Sequence, residues 1–416
     1  DEGRFVVEAS VRNLTFKYQP RWPAATDADM EVVLDGMRLY SRSNRFLNAG
    51  NQSVDANVEI ADLRDPILTI DAFSTGTLET IRAFSIESPI NEVFGGQLER
   101  VSVSGEASFS LDLQVPLKDP KAFQFTSVIR SNNGTLAIEG FDPPFTDVIG
   151  EVTIGRDAIS SQSLGARFLG EQVGIELMQA GDEAYSVTAS ITGPVTAAAI
   201  INELGVPLEG LISGATGYAA RILFPRGKQD APQPLKIEID SNLDGLGFAF
   251  PAPLNKPEDA LLQIRGDIRF MPGGQVIESA GFAESPLAWQ VSFNKANGTW
   301  DFDRGVVTLG RDVLQPAETR GLHIRGGAET VRLDDWLSLS RSGEKKVGAA
   351  DRIRSIELDI ADLYAVGQHV QGHRVRVDRN ARDWLVQIDG EELAGSIFVP
   401  YDFNADRAMV LEMERM

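Results

Sequence analysis

The chain has 416 residues, 43% hydrophobic and 24% charged, enough apolar material for a real interior, which excludes a disordered tail. Acidic side chains number 60 against 39 basic ones, and the net charge of −21 repels phosphate backbones and anionic bilayer surfaces, so no nucleic-acid partner is expected. Cysteine is absent, which leans towards an oxidising compartment and excludes disulfide scaffolds, thiol nucleophiles and thiolate metal sites.

The chain opens on Asp1-Glu2-Gly3 without an export signal, and no apolar run approaches the ~20 residues that span a bilayer. Its last stretch, Met409 to Met416, still alternates as a strand does, so both ends look cut from a longer polypeptide. Along the chain, the first helical spacing is residues 77–94, with Leu78, Ile81, Phe84 and Val93 and a break at Pro89. Val101 to Val115 then alternates with period two, the mark of a strand with one buried face. The Ala-rich run 195–205 predicts a second short helix, stopped by Gly205 and Pro207. Strand alternation returns in Leu235–Ile239, Leu287–Phe293, Ser355–Ile360, Trp384–Ile388 and Met409–Met413. A third short helix is expected over 328–339, around Asp334-Asp335-Trp336. Turn chemistry at Asn133-Gly134, Pro272-Gly273-Gly274, Asn297-Gly298, Asp303-Arg304-Gly305 and Asp389-Gly390 predicts antiparallel meanders rather than βαβ crossovers.

The helical segments recur. Each follows a strand and a glycine, at Gly76, Gly193 and Gly326, landmarks 117 and 133 residues apart. Matched strands follow the first two, Gly105 to Pro116 and Gly214 to Pro225. This weak, long period predicts units of about 1–95, 96–205, 206–340 and 341–416 stacked along an axis.

The chemistry of enzymes is not indicated. His369 and His373 lack the glutamate of a zinc helix and read as solvated strand residues, Asp334 and Asp335 as capping residues, and the glycines of Gly210–Gly217 as bulges and turns. No catalytic residue, metal or cofactor is expected. An antiparallel sheet with one apolar face must cover that face, either by packing on itself as a sandwich or barrel or by receiving a ligand. The residues expected to share it are Leu235, Ile237 and Ile239, then Leu262, Ile264, Ile268 and Phe270, and then Leu287, Trp289, Val291 and Phe293. Phe248, Phe250, Phe282, Trp300 and Phe302 crowd the same third of the chain, either as core or as an apolar wall.

Several segments resemble the YhdP family of the AsmA-like superfamily, to which TamB is related. They are Tyr18-Gln-Pro-Arg-Trp-Pro23, Ser241 to Lys256 with its Pro-x-Pro-Leu-x-Lys turn, Gly321-Leu-His-Ile to Leu333-Asp-Asp-Trp336, and Leu393-Ala-Gly-Ser-Ile-Phe-Val-Pro400. The resemblance implies a long, curled, twisted antiparallel sheet, a repeating β-groove open along one side with a few short helices. It also implies a non-enzymatic conduit carrying phospholipid acyl chains between the inner and outer membranes of a Gram-negative envelope. The site would be the periplasm, with the full-length protein anchored in the inner membrane through regions absent here. The alternative it implies is a scaffold or assembly factor for outer-membrane proteins.

Overall fold

A computed structural model describes residues 5–139, 141–156, 158–181, 183–203, 209–226, 233–271, 276–283, 287–296, 299–310, 314–336, 352–365, 368–380, 383–400 and 408–415. Its strands are β1 (Val6–Phe16), β2 (Ala25–Asp35), β3 (Arg38–Asn48), β4 (Asn51–Ile60), β5 (Ile67–Thr77), β6 (Val101–Pro116), β7 (Gln124–Ile138) and β8 (Phe141–Gly155). They continue as β9 (Ile159–Phe168), β10 (Glu171–Gln179), β11 (Tyr185–Thr196), β12 (Ile212–Pro225), β13 (Leu235–Ser241), β14 (Leu246–Phe248), β15 (Ile264–Phe270) and β16 (Val276–Ala283). The last are β17 (Leu287–Ala296), β18 (Thr299–Leu309), β19 (Gly321–Arg332), β20 (Ile353–Ala365), β21 (Gln368–Arg379), β22 (Asp383–Asp389), β23 (Ala394–Pro400) and β24 (Val410–Arg415). They form a mixed sheet, interrupted by the short helices α1 (Leu78–Ile86), α2 (Ile90–Val93) and α3 (Ala197–Glu203) and a helical turn at residues 333–336. The chain is therefore mainly β. Two compact units divide it, one of residues 1–193 and 220–236, the other of 194–219 and 237–416.

In the first unit, β1 to β10 pair antiparallel in sequence order. The alternation of β6 turns Phe109, Leu111, Leu113 and Val115 to one face, where they are at most 3% exposed. Register sets Leu111 beside Ala72 and Ser127, and Leu113 beside Ile70 and Phe125. Helix α1 lies on this face. A Thr77/Thr80 capping box starts it, and its buried Phe84 packs against Phe109 with ring centroids 5.2 Å apart and planes tilted by 36°. Trp22, 1% exposed, completes the cover, with ring centroids 5.6 Å from Phe84 and 5.4 Å from Phe125. Beside it Asn48 Nδ2 donates to Tyr18 Oη at 3.0 Å, and burial pushes the phenol up to about 12, so it stays neutral.

The expected turn at Asn133-Gly134 is not one. β7 runs straight through it, because Gly134 faces Gly105 at a bulge (φ +120° at Gly105) where a Cβ on Gly105 would meet the Asn133 carbonyl at 2.5 Å. Asp303-Arg304-Gly305 likewise lies inside β18, where an extra residue shifts the register between Ser292 and Phe293. Asp389-Gly390 does end β22. Pro272-Gly273-Gly274 and Asn297-Gly298 lie outside the described residues.

The second unit begins with α3, whose Thr196 Oγ1 accepts from the Ala199 amide at 3.1 Å. Ala197 packs with Ile212, Leu243 and Leu246, joined by Ile200, Ile201, Phe248 and Phe250. β15 to β18 form an antiparallel meander, and so do β20 to β24. Between them β18–β19 and β19–β20 pair parallel, which the short-turn reading did not anticipate. The connections here, residues 310–320 and 333–352, are long enough to return the chain to the same end of the sheet. Residues 328–332 extend β19 rather than start a helix. Ala328 and Val331 bury against Ile360 and Leu363 of β20, so pairing overrides local propensity until the turn at 333–336. Among the described residues no helix is long and apolar enough to cross a membrane.

Candidate functional site

Register in the second unit assembles one apolar face row by row. Ile264, Ala283, Leu287 and Leu309 stand side by side, as do Gly266, Gly281, Trp289 and Val307. The next rows are Ile268, Ser279, Val291, Gly305 and then Phe270, Ile277, Phe293, Phe302, the last two rings 5.7 Å apart. Because directly paired residues point the same way, all four rows share a face. The rows continue through the parallel strands. Val307 leads to Ile324, Ile356, Val377, Val386 and Ile397, and Leu309 to Gly326, Leu358, Val375 and Ile388.

Seven expected lining residues, Ile264, Ile268, Phe270, Leu287, Trp289, Val291 and Phe293, are thus brought together. Leu235, Ile237 and Ile239 alternate with Asp240, whose carboxylate takes Gln263 Nε2 at 2.8 Å and Arg265 Nε at 2.7 Å on the opposite face. Ile237 and Ile239 therefore share the face of Ile264 within the second unit. Leu235 and Ile237 are 2% exposed and Phe270 4%, whereas Ile264, Ile268 and the four residues of β17 are only half-buried. Leu262 precedes β15, donating its amide to Asn242 at 2.9 Å, and packs on the Ile212–Leu246 cluster. The continuation over β18 to β23 escaped the sequence reading, although the same alternation was visible in Ser355–Ile360 and Trp384–Ile388.

The opposite face carries the charge. Arg376 and Arg374 pair with Glu357 and Asp359 at 2.8 and 2.7 Å, and the Arg374 guanidinium holds the Asp359 carboxyl below its usual range. Phe282 sits there too, 49% exposed, so it belongs neither to core nor to wall. Over β18 and β19 this face is covered. Val306 and Thr308 are buried, and His323 is held by Thr319 Oγ1 at 3.1 Å and Ser355 Oγ at 2.7 Å. Burial lowers the His323 pKa, outweighing its bond to the Thr319 backbone.

The two expected solvated histidines part company. His369 is exposed, 2.7 Å from Asp362 and stacked on Tyr364. His373 is 1% exposed, packed over Gly390 beside Ile360, with neither ring nitrogen hydrogen-bonded among the described residues. The pleat is interrupted at Gly372 (φ +67°), which lets Val370 join the buried Ile360–Leu363 cluster. Asp334 and Asp335 are exposed at the helical turn. Among the described residues no three His, Asp or Glu cluster as metal ligands do.

Two motifs 84 residues apart meet on the apolar face. The Pro251-Ala-Pro253-Leu-Asn-Lys256 turn is closed by reciprocal bonds between Phe248 and Lys256 at 2.7 and 2.9 Å. Lys256, 6% exposed, points its ammonium at the carbonyls of Leu246 (2.6 Å) and Pro257 (3.1 Å), and burial lowers its pKa. Trp336 packs on the Ala328–Ile360 cluster and donates Nε1 to the Ala252 carbonyl at 3.0 Å.

What the rows present together is apolar surface. No solved structure matches the chain. It is 22% identical over 414 residues to the Escherichia coli (strain K12) protein named "Intermembrane phospholipid transporter YhdP". The alignment covers 95% of this chain but 31% of that relative, so the chain spans about a third of the relative's length. The YhdP protein family matches residues 1–415, and the chain belongs to the YhdP family.

Proposed function

We propose that this segment is part of a non-enzymatic lipid conduit, in which phospholipid acyl chains rest on the apolar face of β13 to β23 as they pass between the inner and outer membranes. The observation that supports this most is the continuity of the apolar rows. They cross strand after strand, half-buried at Ile264, Ile268 and the residues of β17 and sealed at Phe270 and Ala283, while the ion pairs of β20 and β21 stand on the other face. Each methylene kept from water on such a surface contributes ~0.8 kcal/mol, so a two-tailed lipid needs no deep pocket to be held. Equivalent rows favour sliding over capture, which suits transfer. The named relative is a phospholipid transporter, which supports the lipid class. In this reading the segment lies in the periplasm, and the full-length protein is anchored in the inner membrane and reaches the outer one through regions outside this chain. Units of about 1–95, 96–205, 206–340 and 341–416 would repeat along the conduit, each helix following a landmark glycine.

The test is photo-crosslinking in the full-length protein. Probes at Ile264, Ile268 and Val291 should capture phospholipid, and probes at Arg269 and Glu278 on the opposite face should not. Capture confined to the polar face would overturn the reading.

A further inference from the structure

Trp289 lies across three strands. Its indole reaches from β17 over Gly281 of β16 to Gly266 of β15, the two glycines of its own row. A Cβ on Gly266 would stand 2.9 Å from Trp289 Cζ2, and one on Gly281 would overlap the same atom. The indole Nε1 is turned to Ser279 Oγ at 3.4 Å, so the ring's polar atom also points at the sheet. The ring therefore lies flat on the apolar face, half-buried, one row from Ile268–Ser279–Val291–Gly305. Carbon atoms in contact keep about 3.5–4.0 Å apart, so a side chain at Gly266 displaces the indole by roughly 1 Å, and the backbone of Gly281 beneath it leaves only the outward direction.

We propose that Gly266 and Gly281 are a seat that holds Trp289 flat, so that this row sets the clearance for acyl chains crossing the face. An aromatic ring over cross-strand glycines also supports the sheet itself. The test must therefore move transport without moving the fold, and it rests on the conduit reading of the same face. Gly266 is the position to change. A Cβ at Gly281 would also meet the Arg265 carbonyl at 2.6 Å, whereas at Gly266 the nearest backbone atom, Ala280 O, is 3.3 Å away. Valine suits a strand, so the sheet should keep its stability.

In the full-length protein, Gly266→Val should accumulate and resist protease as the parent does, yet fail to complement an outer-membrane lipid defect. Photo-crosslinkers at Ile239 and Ile324, on β13 and β19 to either side, should report lipid capture falling several-fold at one and persisting at the other. Trp289→Ala removes the ring that sets the clearance, so adding Gly266→Val to that background should cost no further transport or capture. Wild-type transport by Gly266→Val, a further loss when Gly266→Val is added to Trp289→Ala, or a folded Trp289→Ala that captures no lipid at either probe would each overturn the seat. Ile268→Asp, one row away, separates the two ideas. If it is tolerated, the conduit reading itself fails; if it blocks while Gly266→Val passes lipid, only the seat is lost.

Discussion

Trp22 offers the sharpest quantitative check on how the apolar face of the first unit is filled. It is 1% exposed and in ring contact with Phe84, Phe123 and Phe125, so Trp22→Ala empties the centre of that cover. The lost burial costs about 2 kcal/mol at ~25 cal/mol per Å². A residual space on the order of 100 Å³ adds about 2.4 kcal/mol at ~24 cal/mol per Å³. The total is about 4 kcal/mol, within the ~3–5 kcal/mol seen for such truncations. Trp22→Phe separates packing from polarity. The indole Nε1 has no hydrogen-bond partner among the described residues, so phenylalanine removes a buried orphan donor that costs about 1–3 kcal/mol. It leaves a smaller void, and the two effects should cancel to within about 1 kcal/mol. Urea unfolding of the chain, followed by the circular dichroism of the strands, measures both. A cost below about 1 kcal/mol for Trp22→Ala would refute the reasoning, because it would mean that α1 and the Trp22 loop do not close this face.

Other expectations concern titration and charge. Burial lowers the His323 pKa, so the unfolded chain binds the proton more readily; stability should fall as pH drops through the ordinary histidine value of ~6.5 and level off below the folded value. His323→Gln should flatten that part of a melting-temperature-versus-pH curve, and an unchanged slope would assign it elsewhere. Lys256→Met should destabilise by about 1–3 kcal/mol in urea, because the Leu246 and Pro257 carbonyls lose a buried donor. Arg374→Ala removes a pair exposed on both sides and should leave the urea midpoint nearly unchanged, with high salt erasing any difference. Asp334→Asn, Asp335→Asn and His373→Phe should leave complementation intact, since a conduit handles no proton there; loss confined to one of them would point to an enzyme.

Much of the sheet was legible because period-two alternation dictates which side of a strand is apolar. Leu287–Phe293 and Ser355–Ile360 needed no structure to be read. Misreadings arose where one residue type serves two geometries. Asn133-Gly134 and Asp303-Arg304-Gly305 have turn composition, but bulges inside β7 and β18 use glycine for close backbone approach. His373 looked solvated because nothing local reveals that Gly390 gives its ring room on the buried side. Phe282 shared the composition of its neighbours, and only the register with Arg265 and Ala288 shows it standing on the charged face. The residues expected to share the apolar face were legible as a face but not in their exposure. Whether Leu235 is sealed and Ile268 half-open depends on what packs over each, which alternation does not encode.

The parallel strand β19 also divides the order in which the chain can assemble. Hairpin by hairpin, each strand of the preceding meander finds its partner a few residues back, and such local closures are fast. At Leu309 that zippering stops. β19 has parallel partners on both sides, each reached only after residues 310–320 or 333–352 have been closed into a loop. Strands β20 to β24 can meanwhile form their own meander by local steps. β19 is then a keystone set late between two ribbons. Until it is seated, Val307 and Ile356, each one strand from Ile324, are the apolar edges left for a stray chain to pair with.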